Sequence, residues 1–227
     1  LLAAKHQEVV DHAAQPRLVV VDPRLHAELP GGENLSSIYD YQYLAGRRAG
    51  VDYRLGEAAT ADSVLALAPD AVLLATGATA APPAWVPAEY LEIGAVPDAR
   101  AMARDMLGRS GREPGRVVLF DQDHTEMTYA LAELPTARFE AVSIVTPRER
   151  IASDVSLINR QGIYQRLYAR GVQLVTSCTP RDLDALEEAA LDVVNVYSGA
   201  VTRLPDVVAV TYATSRVPDN VLAAPLA

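Results

Sequence analysis

Short runs of uninterrupted apolar residues recur along the chain, with stretches of helical periodicity between them. The runs lie at residues 18–22, 71–75, 116–121 and 141–146. A run that is apolar at successive positions is typical of a strand buried on both faces, as in a parallel sheet covered by helices. The alternation of such strands with helices therefore predicts an α/β protein with doubly wound parallel sheets.

The local signals define the remaining elements. Helices are predicted at residues 1–14, 39–49, 61–67, 98–107, 125–134 and 156–169, and further strands at residues 51–55 and 172–176. Gly50 and Gly171 follow two of the helices as glycines commonly do, and Thr60 is placed to cap a third. Residues 192–197 and 206–211, with a turn at Ser198 and Gly199, predict a hairpin and a return into the sheet.

The predicted order of elements divides the chain into two α/β units. A proline-rich stretch at residues 80–87 cannot continue a helix or an inner strand and is interpreted as an exposed connection. We expect a first unit over residues 1–110, a second over 111–190, and a return segment over 191–227 that completes the first unit.

Composition excludes several classes of function. A net charge of −9 and a pI of about 4.9 argue against nucleic-acid binding, which depends on clustered Lys and Arg. The sequence has neither a span-length apolar run nor a secretory signal, so we expect a cytoplasmic protein without a membrane partner. Cys178 is the only cysteine, which excludes an internal disulfide and a cysteine-ligated iron–sulfur cluster within this chain.

Two positions in the first unit point to an adenine nucleotide. Asp22 ends an apolar run after the first helix, where an acid of a Rossmann-like unit hydrogen-bonds the adenosine ribose. Thr76 and Gly77 end another run, and a glycine there lets the backbone pass close beside a bound dinucleotide. We predict a cofactor site of Asp22, Pro23, Arg24, Thr76 and Gly77, whose Gly-rich turn would lie upstream of Leu1.

The corresponding turn of the second unit has a different chemistry. It contains Asp121, Asp123 and His124 and has no glycine, although a pyrophosphate needs bare backbone N–H groups at a helix start. We therefore expect this unit not to bind NAD in the usual way. A metal site at these three residues is a weaker alternative than a structural turn, and no metal is predicted.

These residues resemble those of a known family. Nearly the whole chain is similar to the carboxy-terminal half of enzymes related to trimethylamine dehydrogenase, dimethylamine dehydrogenase and 2,4-dienoyl-CoA reductase. The resemblance in the first half is carried by residues 30–32, 50–56 and 62–77. In the second half, residues 117–124, 142–147, 159–160, 165–167 and 214–218 are similar to the amine-oxidising branch.

The resemblance implies a fold of the FAD/NAD(P)-binding type in which the first unit holds ADP or FAD. It also implies that FMN and a [4Fe-4S] cluster belong to an amino-terminal barrel portion, in the same chain or a separate subunit, of an oligomeric enzyme. An electron-transfer flavoprotein is a further implied partner, with Tyr41 near the family's docking position. Core packing of the neighbouring tyrosines is an alternative for that position.

Three functions remain open from the sequence. The favoured one is a nucleotide-binding module of a flavin-dependent amine dehydrogenase or N-demethylase, which has no catalytic residue of its own and supports electron transfer. The second is an NAD(P)H-dependent flavin reductase domain, which requires a glycine-rich turn near Asp121. The third is a non-catalytic docking module for an electron-transfer flavoprotein.

Overall fold

The computed structural model describes residues 8–10, 25, 27–30, 32, 36–54, 56–108 and 110–226 of the chain. It forms two compact units, one of Leu1–Thr79 with Arg216–Ala227 and the other of Ala80–Ser215. In the described part of the chain, no helix combines the length and the apolar character needed to cross a membrane.

Helices and strands alternate along most of the described chain. The helices are α1 Ser36–Arg48, α2 Ala61–Leu65, α3 Ala88–Glu92, α4 Ala99–Leu107, α5 Glu126–Glu133, α6 Leu157–Ala169 and α7 Ala223–Leu226. Short 3₁₀ helices occur at Leu134–Ala137 and Asp184–Glu188. The strands are β1 Glu8–Val10, β2 Asp52–Arg54, β3 Ala78–Ala80, β4 Glu113–Asp121, β5 Phe139–Val145, β6 Gln173–Val175, β7 Cys178–Pro180, β8 Ala190–Asn195, β9 Val201–Pro205, β10 Val207–Ala213 and β11 Arg216–Pro218.

The second unit is built on a parallel sheet with the strand order β10-β4-β5-β6. Phe120 of β4 is paired with Tyr212 on one side and Val145 on the other. A separate antiparallel sheet has the order β7-β8-β9. The predicted α/β class with a parallel sheet is confirmed. The predicted hairpin turn at Ser198 and Gly199 is also confirmed, but the second strand of the hairpin is β9, and the predicted strand at residues 206–211 is β10 of the parallel sheet.

Strand β4 is apolar at successive positions because both of its faces are covered. Val117 packs in a cluster with Met102 and Met106 of α4. Val118 and Phe120 belong to a different cluster, which includes residues of β8 and β10. Burial on both faces removes the alternation of polar and apolar residues that a half-exposed strand would show.

Residues of the proline-rich segment pack in the same cluster as Val118 and Phe120. Trp85 meets Phe120 edge to face, with ring centroids 5.3 Å apart, and Val86 is buried in the same cluster. The prediction of an exposed connection at residues 80–87 is therefore wrong for Pro83 and Val86, which are buried, whereas Pro82 and Ala84 are exposed.

The first unit contains smaller elements. Strands β1 and β2 pair in parallel, β3 pairs with β11, and α2 contacts α7. Thr60 caps α2, since its hydroxyl accepts the Ser63 N–H at 3.1 Å. The predicted helix at 39–49, strand at 51–55 and capped helix at 61–67 are confirmed as α1, β2 and α2, with bounds that differ by a few residues.

The predicted helix at residues 1–14 is wrong where the structure describes it. Residues 8–10 form β1, in which Val9 is paired with Tyr53 and Val10 with Arg54. Branched side chains at consecutive positions favour this extended pairing over a helix. The predicted strand at residues 18–22 lies outside the described residues.

The predicted buried strand at residues 71–75 is also wrong. Its backbone joins no strand ladder within the described residues, and Val72, Leu73 and Leu74 are 44%, 85% and 39% exposed. An apolar run becomes a buried strand only where neighbouring strands pair with it and side chains cover it. The next strand after this run is β3, which pairs with β11.

The compact units differ from the predicted division of the chain. Residues 80–110 belong to the second unit, which begins at Ala80 rather than at residue 111. Strand β10 also belongs to the second unit, where it pairs with β4. Only residues 216–227 of the predicted return segment lie in the first unit.

The close approach of β4 and β10 gives a testable prediction at Gly115. This glycine has a φ of +97°, and an added Cβ would lie 2.5 Å from Val208 Cγ1 and 3.0 Å from the Asp206 carbonyl oxygen. We expect Gly115→Ala to lower the free energy of unfolding by about 2–4 kcal/mol, from backbone strain together with overpacking. Urea unfolding measures the change.

The control variant is Gly111→Ala. Gly111 has a similar φ of +102°, but no heavy atom lies within 4 Å of its added Cβ. Its substitution should cost only the backbone strain, about 1 kcal/mol. Equal losses in the two variants would contradict the proposed contact between β4 and β10.

Candidate functional site

The structure describes only some of the predicted site residues. Asp22, Pro23 and Arg24 lie outside the described residues. Thr76 and Gly77 lie in the first unit, immediately before β3, and Tyr41 lies on α1. The predicted meeting of Asp22 with Gly77 across an adenosine pocket therefore stays a prediction.

Residues Thr76 and Gly77 form a turn that is fixed by Asp219. The Thr76 hydroxyl donates to the Asp219 carbonyl oxygen at 2.5 Å, and the Asp219 N–H donates to the Gly77 carbonyl oxygen at 3.0 Å. Gly77 has a φ of +79°, and no heavy atom lies within 4 Å of an added Cβ. The turn is thus held from one side, while the Cα of Gly77 faces open space that a ligand could approach.

Tyr41 and Tyr43 of α1 have different surroundings. Tyr43 packs against Tyr53, with ring centroids 4.9 Å apart, and is 44% exposed. The hydroxyl of Tyr53 lies over Gly46, where an added Cβ would be only 1.9 Å from its oxygen. Tyr41 is 71% exposed. Packing within the unit therefore accounts for Tyr43 but leaves most of Tyr41 accessible.

In the second unit, three buried polar side chains gather at the carboxyl end of β4. Asp121 ends the strand, His124 lies in the following turn, and Tyr129 lies on α5; each is 0% exposed. Doubly wound sheets bind ligands at the carboxyl ends of their strands, so this is where a nucleotide crevice would be expected. Here the protein's own side chains fill that position.

These side chains are joined by hydrogen bonds. The Tyr129 hydroxyl donates to Asp121 Oδ2 at 2.6 Å, and the His124 backbone N–H donates to Asp121 Oδ1 at 3.0 Å. The backbone N–H of Ala152 donates to the Tyr129 hydroxyl oxygen. His124 Nδ1 lies 3.3 Å from Asp121 Oδ2, while its buried Nε2 has no hydrogen-bond partner among the described residues.

Burial determines the protonation of this network. It raises the pKa of the Asp121 carboxyl, against the opposing effect of His124. It lowers the pKa of the His124 imidazole, although the Asp121 carboxylate acts in the other direction. Burial and the Asp121 carboxylate together raise the pKa of the Tyr129 phenol. Tyr129 is therefore a permanent donor, and His124 is neutral at physiological pH.

Acidic side chains also occupy the start of α5. Asp123 Oδ2 accepts hydrogen bonds from the hydroxyls of Thr125 at 2.5 Å and Thr128 at 2.7 Å, and Glu126 lies in the first turn. These carboxylates interact favourably with the positive end of the helix dipole and would repel a pyrophosphate. The geometry argues against the NAD(P)H reductase hypothesis.

Two other features of the structure bear on the site. A cavity of about 420 Å³ in the second unit is lined by Glu113 and Arg138, at the amino ends of β4 and β5, and by Met102 of α4. It lies at the opposite end of the sheet from Asp121. In the part of the chain that the structure describes, no three His, Cys, Asp or Glu side chains are arranged to hold a metal ion.

Sequence reasoning identified Asp121, Asp123 and His124 but missed Tyr129 and Ala152. Tyr129 comes eight residues after Asp121, on the helix that follows the turn, which is a usable signal for contact. No sequence signal pointed to Ala152, because its N–H reaches the Tyr129 hydroxyl only through the folding of the segment after β5.

Comparison with solved structures identifies a shared fold. The chain matches 2-naphthoyl-CoA reductase bound to 2-naphthoyl-CoA (TM-score 0.73, 19% identity, covering 90% of this chain and 29% of that one). It also matches histamine dehydrogenase from Rhizobium sp. 4-9, with a TM-score of 0.73 and 21% identity, over 90% of this chain and 32% of that one. A third match is 6-hydroxypseudooxynicotine amine oxidase from Pseudomonas geniculata N1, with a TM-score of 0.74 and 17% identity, over 89% of this chain and 30% of that one. No family model and no curated protein sequence matches.

These matches cover almost all of this chain but only about a third of each enzyme chain. Amine-oxidising enzymes are among them, as the resemblance found in the sequence implied. At these identities the likeness concerns the fold. The chain therefore has the α/β, FAD/NAD(P)-binding type of fold found in part of these oxidoreductases.

The buried imidazole gives a prediction about pH. The folded pKa of His124 lies below its ordinary value of 6.5, so the unfolded chain binds more protons on acidification. We expect His124 to stabilise the fold fully above about pH 6.5 and to contribute less as the pH falls. The effect reaches at most about 1.4 kcal/mol per pH unit and is measured by urea unfolding between pH 8 and 5.

The matched variant is His124→Asn, because asparagine tolerates the left-handed backbone of this residue, whose φ is +55°. Its stability should fall less steeply below pH 6.5 than that of the wild type. Asp121, with its raised pKa, contributes with the opposite sign and is present in both proteins, so the difference between them reports on His124 together with its interaction with Asp121. Parallel stability curves for the two would show that His124 is not held neutral.

Proposed function

We propose that this chain is the adenine-nucleotide-binding portion of a flavin-dependent amine dehydrogenase or N-demethylase and supports electron transfer there. The observation that carries the proposal is the likeness to histamine dehydrogenase, at a TM-score of 0.73 over 90% of the chain. The amine oxidase from Pseudomonas geniculata N1 supports the same class. The substrate would be a methylated amine that reacts elsewhere in the enzyme.

The nucleotide, ADP or FAD, would be held by the first unit. Asp22 would accept hydrogen bonds from the ribose hydroxyls, with Pro23 and Arg24 beside it, and the open side of Gly77 would allow the nucleotide close to the backbone. The Thr76 hydroxyl already donates to Asp219, so its role would be to position the Gly77 turn. When bound, FAD would supply redox chemistry, whereas ADP would have a structural role.

The remaining chemistry would belong to another portion of the enzyme. The chain spans about a third of the length of the solved enzymes it matches. As the resemblance of the sequence implies, FMN and a [4Fe-4S] cluster would be carried by a barrel portion in the same chain or a separate subunit. The exposed apolar residues Val72, Leu73 and Leu74 give that portion a surface to cover. Burial of such side chains is a main source of association free energy.

The nucleotide site is tested with Gly77→Ala. A methyl group at Gly77 would project into the space proposed for the nucleotide, so we expect ADP affinity to fall about tenfold or more by calorimetry. Gly50→Ala is the control, because Gly50 also has a φ of +79° and open space around its added Cβ. Both variants carry the same backbone strain, and only Gly77→Ala should weaken ADP binding.

Two results would contradict this proposal. One is equal ADP affinity in the Gly77→Ala and Gly50→Ala proteins. The other is the absence of any adenine compound when the intact parent enzyme is denatured and the released material is examined by mass spectrometry. The second result would favour the docking function described next.

A second candidate function is docking of an electron-transfer flavoprotein, and the exposure of Tyr41 favours it. This side chain is 71% exposed on α1, and aromatic residues are enriched at the centres of protein interfaces. Core packing, the alternative considered for these tyrosines, applies to Tyr43, which contacts Tyr53.

Tyr41→Ala tests this candidate. In the parent enzyme we expect slower electron transfer to the flavoprotein, with a Kd at least about tenfold weaker and unchanged amine oxidation with an artificial acceptor. Tyr197→Ala is the control, since Tyr197 is 72% exposed in the second unit. An equal loss in both variants, or no loss in either, would exclude Tyr41 as a docking residue.

A further inference from the structure

The segment that follows β5, residues 147–156, is tied to the buried network of the second unit. We call this segment the strap. Its residues Ile151 and Ala152 are 0% exposed, although Arg148 and Arg150, which precede them, are exposed. The Ala152 N–H donates to the Tyr129 hydroxyl, and the Arg148 carbonyl oxygen accepts the Ser177 N–H at 2.8 Å. The strap is thus held at the carboxyl ends of β4 and β5.

The groups that would bind an anion at the turn after β4 are already occupied by carboxylates. The His124 N–H, which lies in the turn, donates to Asp121. The hydroxyls of Thr125 and Thr128, at the start of α5, donate to Asp123. In nucleotide-binding units of this fold, the corresponding turn and helix start contact a pyrophosphate. Two carboxyl groups of the chain itself have taken that position here.

The network also holds two residues in a backbone conformation that side chains disfavour. His124 has a φ of +55° and Ala152 a φ of +52°, and neither is a glycine. One hydrogen-bonded chain connects them, from Ala152 through Tyr129 and Asp121 to His124. A residue keeps such a conformation where its contacts with the surrounding structure outweigh the intrinsic preference of its backbone. Tyr129 is the central link, because its hydroxyl both accepts and donates.

We propose that the strap permanently closes the nucleotide crevice of the second unit, with Tyr129 as its latch and the carboxylates of Asp121 and Asp123 in place of a dinucleotide's pyrophosphate. For NAD(P)H to enter, the latch would have to open and two carboxylates would have to leave the helix start. The second unit therefore takes no electrons from a nicotinamide cofactor. This inference goes beyond the proposed function and does not depend on nucleotide binding by the first unit.

Hydrogen exchange in the full chain tests the latch. Tyr129→Phe removes one oxygen atom and keeps the ring, so the Ala152 N–H loses its acceptor. We expect the Ala152 amide, followed by NMR, to exchange about tenfold faster, as for the loss of one buried hydrogen bond. Trypsin should also cleave faster at Arg148 and Arg150. Tyr168→Phe is the control, since Tyr168 is 63% exposed on α6, and it should change neither rate.

A second variant keeps the test decisive if Tyr129→Phe fails to fold. Asp121→Asn preserves the shape of the side chain but has one acceptor oxygen for two donors, so strap exchange should again accelerate. Unchanged exchange in the folded variants would overturn the latch.

Binding of NADH tests the closure itself. NADH is titrated into the wild-type chain without ADP, and the amide signals of His124, Thr125 and Ala152 are followed by NMR. These signals should not shift, because a dinucleotide in the second unit would lie against them. Saturable shifts of those signals on addition of NADH would overturn the closure, whatever the outcome of the ADP experiment on Gly77. Failure of ADP binding alone would leave the latch and closure results unaffected, so the two proposals fail separately.

Discussion

Strand β4 organises the second unit, because it lies between β10 and β5 and is covered on both faces. Because side chains pack on both of its faces, the strand is apolar at successive positions. Its register also determines where its carboxyl end lies, and with it the position of Asp121. The close approach of β10 requires a residue without a side chain at Gly115. Packing of this strand therefore positions the buried network.

The network at the end of β4 shows how a buried carboxylate is accommodated without a ligand. Removing Asp121 from water is costly, and the cost is offset by donors from Tyr129 and from the His124 backbone. His124 and Ala152 adopt left-handed conformations at the two ends of the same hydrogen-bonded chain. A unit that binds nucleotide at this position would leave those donors free for the ligand. In this chain the donors are used internally.

The first unit contrasts with the second in what it leaves exposed. Its Thr76–Gly77 turn is held by Asp219 on one side and is open on the other. The apolar residues Val72, Leu73 and Leu74, which precede this turn, are accessible to solvent. Exposed apolar side chains beside an open backbone turn suit a surface that meets a ligand and further protein. The fold of the chain matches about a third of each of the larger oxidoreductases, which is consistent with this role. The two units thus differ in whether their polar backbone groups are used internally or left accessible.

The sequence alone determined the α/β class, the helix α1 ending near Gly50, the cap at Thr60 and the acidic character of the turn at Asp121, because these follow from local patterns. Local patterns could not determine which strands pair or which side chains pack together. Residues 71–75 have the composition of a buried strand, yet no described strand pairs with them, and Val9 pairs with β2 despite a helical pattern. Only the tertiary structure brought Ala152 to Tyr129, since that contact depends on the path of the strap. Burial and pairing are properties of neighbours that lie far away in sequence.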